Sequence, residues 1–139
     1  MTKYLNTETK YLNTDLDLFS PNDLTELVNA LEAGGVSLLN PIEHEDGRWR
    51  ANFDLYDPHD HPESTLTALL EVIESLDEKA AQDWRACSER IFDVGYDTGS
   101  TPWAFKQEIS NATLRRIAGL GGSLKITLYG QVPAKSNRA

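Results

Sequence analysis

Apolar and polar residues alternate along this chain with two periods, and the switches between them outline its elements. Asp15-Leu16-Asp17-Leu18 has period two, the pattern of a half-buried strand. Ser20-Pro21-Asn22-Asp23 predicts a helix start, with Ser20 as N-cap, Pro21 in the first turn and Asp23 near the positive end of the dipole. Leu24, Leu27, Val28 and Leu31 follow at helical spacing as one apolar stripe, and Gly34-Gly35 offers the backbone that ends a helix. Val36 to Leu39 predicts a short strand, broken at Asn40-Pro41. After the turn signal Asp46-Gly47, Trp49, Ala51, Phe53 and Leu55 alternate with Arg48, Arg50, Asn52 and Asp54, the clearest strand in the chain.

Past a loop at residues 57–62, Leu66, Leu69, Leu70, Ile73 and Leu76 predict a second amphipathic helix, which Asp77 restarts or kinks before it continues through Trp84 to Cys87. Phe92, Val94 and Tyr96 share one side of a strand over 91–96. Beyond the Gly99-Ser100-Thr101-Pro102 turn, Trp103, Phe105, Gln107 and Ile109 alternate again and predict another strand. Ser110 or Asn111 caps a short helix with Leu114, Ile117 and Ala118, ended by Gly119 and Gly121-Gly122, and Leu124, Ile126 and Leu128 give a last strand.

The order β-α-β-β-α-β-β-α-β implies an α+β two-layer sandwich: a mainly antiparallel sheet with helices on one face. Its first six elements match a ferredoxin-like βαββαβ core, extended by a β-α-β unit. The expected core is Leu24, Leu27, Leu31, Trp49, Phe53, Leu69, Ile73, Phe92, Ile117, Ile126 and Leu128. LVNALEAGGVSLL and LRRIAGLGGSLKITL echo each other as helix, double glycine, strand, which reads as shared punctuation. Lys3-Tyr4-Leu5-Asn6-Thr7 recurs as Lys10-Tyr11-Leu12-Asn13-Thr14, so only one copy need enter the fold. Residues 1–9 and 130–139 are therefore expected to be flexible, dispensable ends of a single 139-residue domain.

Charge narrows the partner classes. All 22 acidic residues precede residue 109, where 8 Lys and Arg accompany them for a net of −14, while residues 109–139 carry five cations and no acid. Too few cations are available to replace phosphate counterions, which argues against nucleic acid. An acidic surface suits a basic protein partner. No apolar run spans a membrane, the first fourteen residues lack a secretory apolar run, and Cys87 stands alone, so the expected location is cytoplasmic. The sequon Asn111-Ala112-Thr113 reads as chance in that setting.

The C-terminal third resembles small bacterial α+β proteins of unknown function, some of them suspected toxin-immunity proteins. The likeness lies in Phe92-Asp93-Val94-Gly95-Tyr96-Asp97-Thr98-Gly99, Leu114-Arg115-Arg116-Ile117-Ala118, the Gly121-Gly122 turn and Ile126-Thr127-Leu128-Tyr129. It implies a class and carries no catalytic residue.

Candidate chemistry is sparse. In an extended loop Asp57, His59 and His61 would point to one side, a ligand set for zinc or iron. Glu63-Ser64 stands where metallohydrolases with a His-x-His start have Asp-His, and a solvated turn is the plainer reading. His44 near the hairpin reads as turn chemistry. Cys87, beside Arg85 and Arg90, would need exposure to act as a nucleophile. Ser64, Ser100 and Ser110 read as caps or turns, with neither a G-x-S-x-G elbow nor a phosphate loop present. Acid pairs such as Asp93 with Asp97 or Asp54 with Asp57 are expected by chance in so acidic a chain.

The favoured expectation is a non-enzymatic, immunity-like binding module that needs no cofactor or metal. Asp54, Asp57, Asp60, Glu63, Asp93 and Asp97 would form its acidic rim and Trp103 an apolar anchor. The alternative is a small metal-dependent hydrolase using Asp57, His59 and His61.

Overall fold

A computed structural model describes residues 8–130. Its elements are β1 (Lys10–Ser20), α1 (Thr25–Ala33), β2 (Val36–Leu38), β3 (Glu43–Glu45), β4 (Arg48–Leu55), α2 (Pro62–Glu74), α3 (Glu78–Ala86), β5 (Glu89–Asp97), α4 (Asn111–Gly119) and β6 (Ser123–Tyr129). One six-stranded sheet runs β2-β4-β1-β5-β6, with β3 also on β4. β2 and β3 lie in line along the same edge of β4, opposite residues 53–55 and 48–50, as one strand interrupted at Leu39–Ile42. Counted as one, they give the antiparallel order of a split βαβ core: β1 and β2 are joined through α1, with β4 between them. β6 adds parallel to β5 through α4, because parallel neighbours need a crossover and a helix supplies it.

The helices cover one face. Leu16 and Leu18 of β1, Ala51 and Phe53 of β4 and Phe92 and Val94 of β5 point into them and are buried. Leu27, Leu31, Leu66, Leu69, Leu70 and Ile73 meet those side chains from α1 and α2. Asp77 restarts the helix as expected: its carboxylate accepts from Ala80 N at 2.9 Å and caps α3. Both double glycines end helices, with φ of +96° at Gly35 and +73° at Gly121, a region that L side chains resist.

The structure corrects several expectations. β1 begins five residues early, so the second KYLNT copy is strand and Ser20 is its buried last residue. Ser20 is no helix cap; its Oγ accepts from Asn22 N within a turn, while α1 starts at Thr25, whose N–H bonds Asp23. The strand expected at 103–109 is absent, because β5 is already paired on both edges, by β1 and β6. The extension is therefore only α4 and β6. Trp49 is half-buried, and Ile126 and Leu128 are exposed. Glu8 and Thr9 are not free ends: Glu8 bridges Thr101, and the Thr9 backbone donates to Thr101 O at 2.8 Å. Thr9 Oγ1 also accepts from Gly99 N at 2.8 Å. The remainder of the expected flexible ends, 1–7 and 131–139, lies outside the described residues.

Candidate functional site

The sheet face turned away from the helices holds the densest chemistry. Alternation puts Asp15, Asp17 and Phe19 of β1 on it, with Arg48, Arg50, Asn52 and Asp54 of β4 and Asp93 of β5. Asp15 pairs directly across from Asp93. Asp54 lies one residue past the Leu16–Phe53 pair, on the other flank of Asp15. Three carboxylates thus sit side by side on three adjacent strands, where like charges repel. Polar neighbours hold them in place. Asn13 Nδ2 donates to Asp54 Oδ2 at 3.1 Å and to Asp15 Oδ1 at 3.3 Å. Thr127 Oγ1 donates to Asp93 Oδ1 at 2.6 Å, and Lys125 Nζ stands 3.9 Å from Asp93 Oδ2.

This crowding shows in proton affinity. Partial burial, then Asp17, Asp54 and Asp93, push Asp15 up to about 6. Burial also raises Asp17, opposed by Arg50. Asn13 Oδ1 is shielded and accepts no hydrogen bond among the described residues. A groove of about 240 Å³ opens beside the row, lined by Leu12, Asn13, Asp15, Asp93, Gly95 and Tyr129. Leu12 and Tyr129 are large apolar side chains left exposed there. A bulge between Tyr11 and Asn13 makes this arrangement, shifting the register of β1 against β5.

At the far end of the same face the charge changes sign. Arg48 lies 4.2 Å from the centre of the Phe19 ring and Arg50 5.5 Å. Each cation also has an acid, Glu89 at 2.7 Å and Glu43 at 3.5 Å respectively.

The structure disperses the other expected residues. Asp54 and Asp93 join the row, and Asp97 ends β5 opposite Lys10. Asp57, His59 and Asp60 are exposed on the loop before α2. His61 caps α2, its Nδ1 accepting from Glu63 N at 3.1 Å. Among the described residues no three His, Cys, Asp or Glu side chains are grouped as metal ligands, so Asp57, His59 and His61 do not converge as the extended-loop geometry required.

Glu63 leaves the expected rim. It accepts from Ser110 N at 2.9 Å, Ser110 Oγ at 2.8 Å and Thr113 Oγ1 at 2.6 Å, which ties α2 to α4 and lowers its pKa, Thr113 contributing most. Arg116 donates twice to Glu74, at 2.9 and 2.7 Å, near the other end of α2. Cys87 is buried, and that burial pushes its thiol up to about 11, so it is poorly placed to act as a thiolate nucleophile. Arg90 instead donates to the carbonyls of Trp84, Cys87 and Gly121, where α3 and α4 end. His44 stacks on Trp49 at 4.1 Å. Trp103 stands 98% exposed on the loop after β5.

Sequence reasoning missed Asp15 and Asp17 as site residues. Their outward phase was legible in Asp-Leu-Asp-Leu, but the acids that flank Asp15 come from β4 and β5 and depend on strand order. No family model, curated protein or solved structure matches the chain. Among the described residues no helix is long and apolar enough to cross a membrane.

Proposed function

We propose that this protein is a non-enzymatic binding module whose open sheet face receives a basic protein through lysine or arginine side chains. The groove beside Asp15 and Asp93 carries the reading. Its carboxylates suit a cationic head, and exposed Leu12 and Tyr129 suit the aliphatic stem or a cation–π contact. A cation entering from outside relieves the repulsion along Asp54, Asp15 and Asp93, so binding releases whatever proton Asp15 holds. Affinity then falls with added salt and as pH drops through about 6, the value for Asp15. Trp103 offers a second apolar contact at the rim. A cytoplasmic toxin with a basic surface is a partner of this class, in keeping with an immunity-like role.

Calorimetry with an arginine-rich peptide tests the reading. Asp15→Asn with Asp93→Asn is expected to remove most of the binding. Asp57→Asn with Asp60→Asn, which deletes the same charge from the exposed loop, is expected to leave most of it. Equal losses from the two pairs would mean that only net charge matters and would end the proposal.

A further inference from the structure

The two outer edges of the sheet are built differently. The β2/β3 edge consists of two three-residue pieces, interrupted around Asn40-Pro41, with Glu43 and Glu45 on the second piece. Short strands, a proline and charges are how folds stop an edge from pairing with another chain. β6 is neither short nor broken by proline, and it carries a single cation. It is seven residues long, Ser123–Tyr129, and that cation, Lys125, turns to the open face near Asp93. Among the described residues no strand pairs with its outer side.

Its helix-side row is also uncovered. Leu124, Ile126 and Leu128 lie beside Phe92, Val94 and Tyr96 of β5 and share their face. Yet they are 37%, 53% and 64% exposed. α4 buries Thr113 and Ile117, and Ile117 lies close to Phe92 around Gly122, so β6 projects beyond the helix layer. Ile126 and Leu128 line a groove of about 350 Å³ together with Phe105.

We propose that this edge pairs with the same edge of a second copy, antiparallel, about a twofold axis at Ile126. Ile126 is the fourth of the seven residues, so this register alone pairs the whole strand. Leu124 then faces Leu128 of the second copy and Ile126 faces its own equivalent, a continuous apolar row on the helix side. Lys125 faces Thr127 of the second copy on the open side. Centring on Lys125 instead would oppose two like charges and shorten the overlap. An interface of this kind is self-complementary, as a twofold axis requires.

The charge distribution favours the same place. Two copies of net charge −9 repel, but no acid follows Glu108. Arg116 and Lys125 are offset within each copy by Glu74 and Asp93. Paired strands alone fall short of the roughly 1,200 Å² that a stable dimer buries in total. Phe105, exposed and lining the same groove as Ile126 and Leu128, adds apolar surface. This surface meets the acidic groove only at Tyr129, the last residue of β6, and its test uses no cationic ligand.

Sedimentation equilibrium of the full chain over a micromolar concentration series is expected to show a monomer–dimer equilibrium. Ile126→Lys should weaken it roughly a hundredfold, since symmetry introduces the buried charge twice. An unchanged circular dichroism spectrum would show that the variant still folds. Ile126→Cys should form a disulfide-linked dimer on mild oxidation, whereas Ser123→Cys, which faces Tyr129 of the second copy, should not. A monomeric wild type would overturn the proposal. So would a dimer indifferent to Ile126→Lys, or one that cross-links equally through either cysteine. A chain that dimerises only after residues 1–7 or 131–139 are removed would also contradict it, by showing that its own terminus covers the edge.

Discussion

The two faces of the sheet obey opposite rules. On the helix side the inner strands present apolar residues or small polar ones such as Thr14 and Ser20, with Arg90 at one end bonded to helix-end carbonyls, and Leu16, Leu18, Phe53, Phe92 and Val94 are fully buried. On the open side Asp15 stands between Asp54 and Asp93, half-buried and short of donors. The first arrangement stabilises the fold, and the second opposes it. A fold that keeps carboxylates together against their own repulsion has a place where an added cation is favourable, and that contrast supports the binding reading.

Several substitutions sharpen the contrast. The largest effect is expected on the covered face: Leu69→Ala or Phe53→Ala should lower stability by about 2–5 kcal/mol in denaturant titrations. Next is the clamp between helices. Glu63→Ala removes the acceptor for three donors, Ser110 N, Ser110 Oγ and Thr113 Oγ1, and should cost about 1–3 kcal/mol.

On the open face the sign reverses. Asp15→Asn should stabilise the protein at neutral pH, by of the order of 1 kcal/mol once solvent screening of this half-exposed group is allowed for. The raised pKa means that the folded state binds the Asp15 proton more tightly than the unfolded chain does. Asp15 therefore contributes stability in its protonated form, and that contribution is lost as pH rises from the ordinary 3.8 through about 6. Thermal melts of the wild type should show this component and those of Asp15→Asn should lack it. Glu63 and Glu74 act in the opposite sense, their lowered pKa values giving stability that disappears as pH falls below the usual glutamate range.

The smallest effect is expected at Thr9→Ala. Its hydroxyl holds Gly99 from both sides, at 2.8 and 3.2 Å. Faster amide exchange at residues 99–101 should follow, with global stability changed by about 1 kcal/mol or less.

Periodicity made the elements legible wherever an apolar phase met a roof. Arg48–Leu55 and the helix from Leu66 read directly from the residues, and so did the restart at Asp77. Alternation names the face of a residue but says nothing of what covers it. Ile126 and Leu128 have the right phase and remain exposed, because α4 turns Ile117 towards Phe92 near Gly122 and leaves the rest of the β6 row uncovered. Trp103 to Ile109 alternate without a partner strand, since pairing is a property of the sheet and not of the segment. Ser20-Pro21-Asn22-Asp23 suits a turn as well as a helix start, and the extra length of β1 decides between them. The acidic row was illegible for a related reason. Asp54, Asp15 and Asp93 are far apart in sequence and meet only because β1 is central. The spacing of Asp57, His59 and His61 implied convergence, but His61 is committed to capping α2.

Direct titration of the Asp15 carboxyl carbon by NMR, with and without an arginine-rich peptide, tests the central claim. The account predicts a pKa near 6 in the free protein and a clear fall when the peptide binds. An ordinary aspartate value in the free protein, or one near 6 that does not move as the peptide saturates, would contradict it.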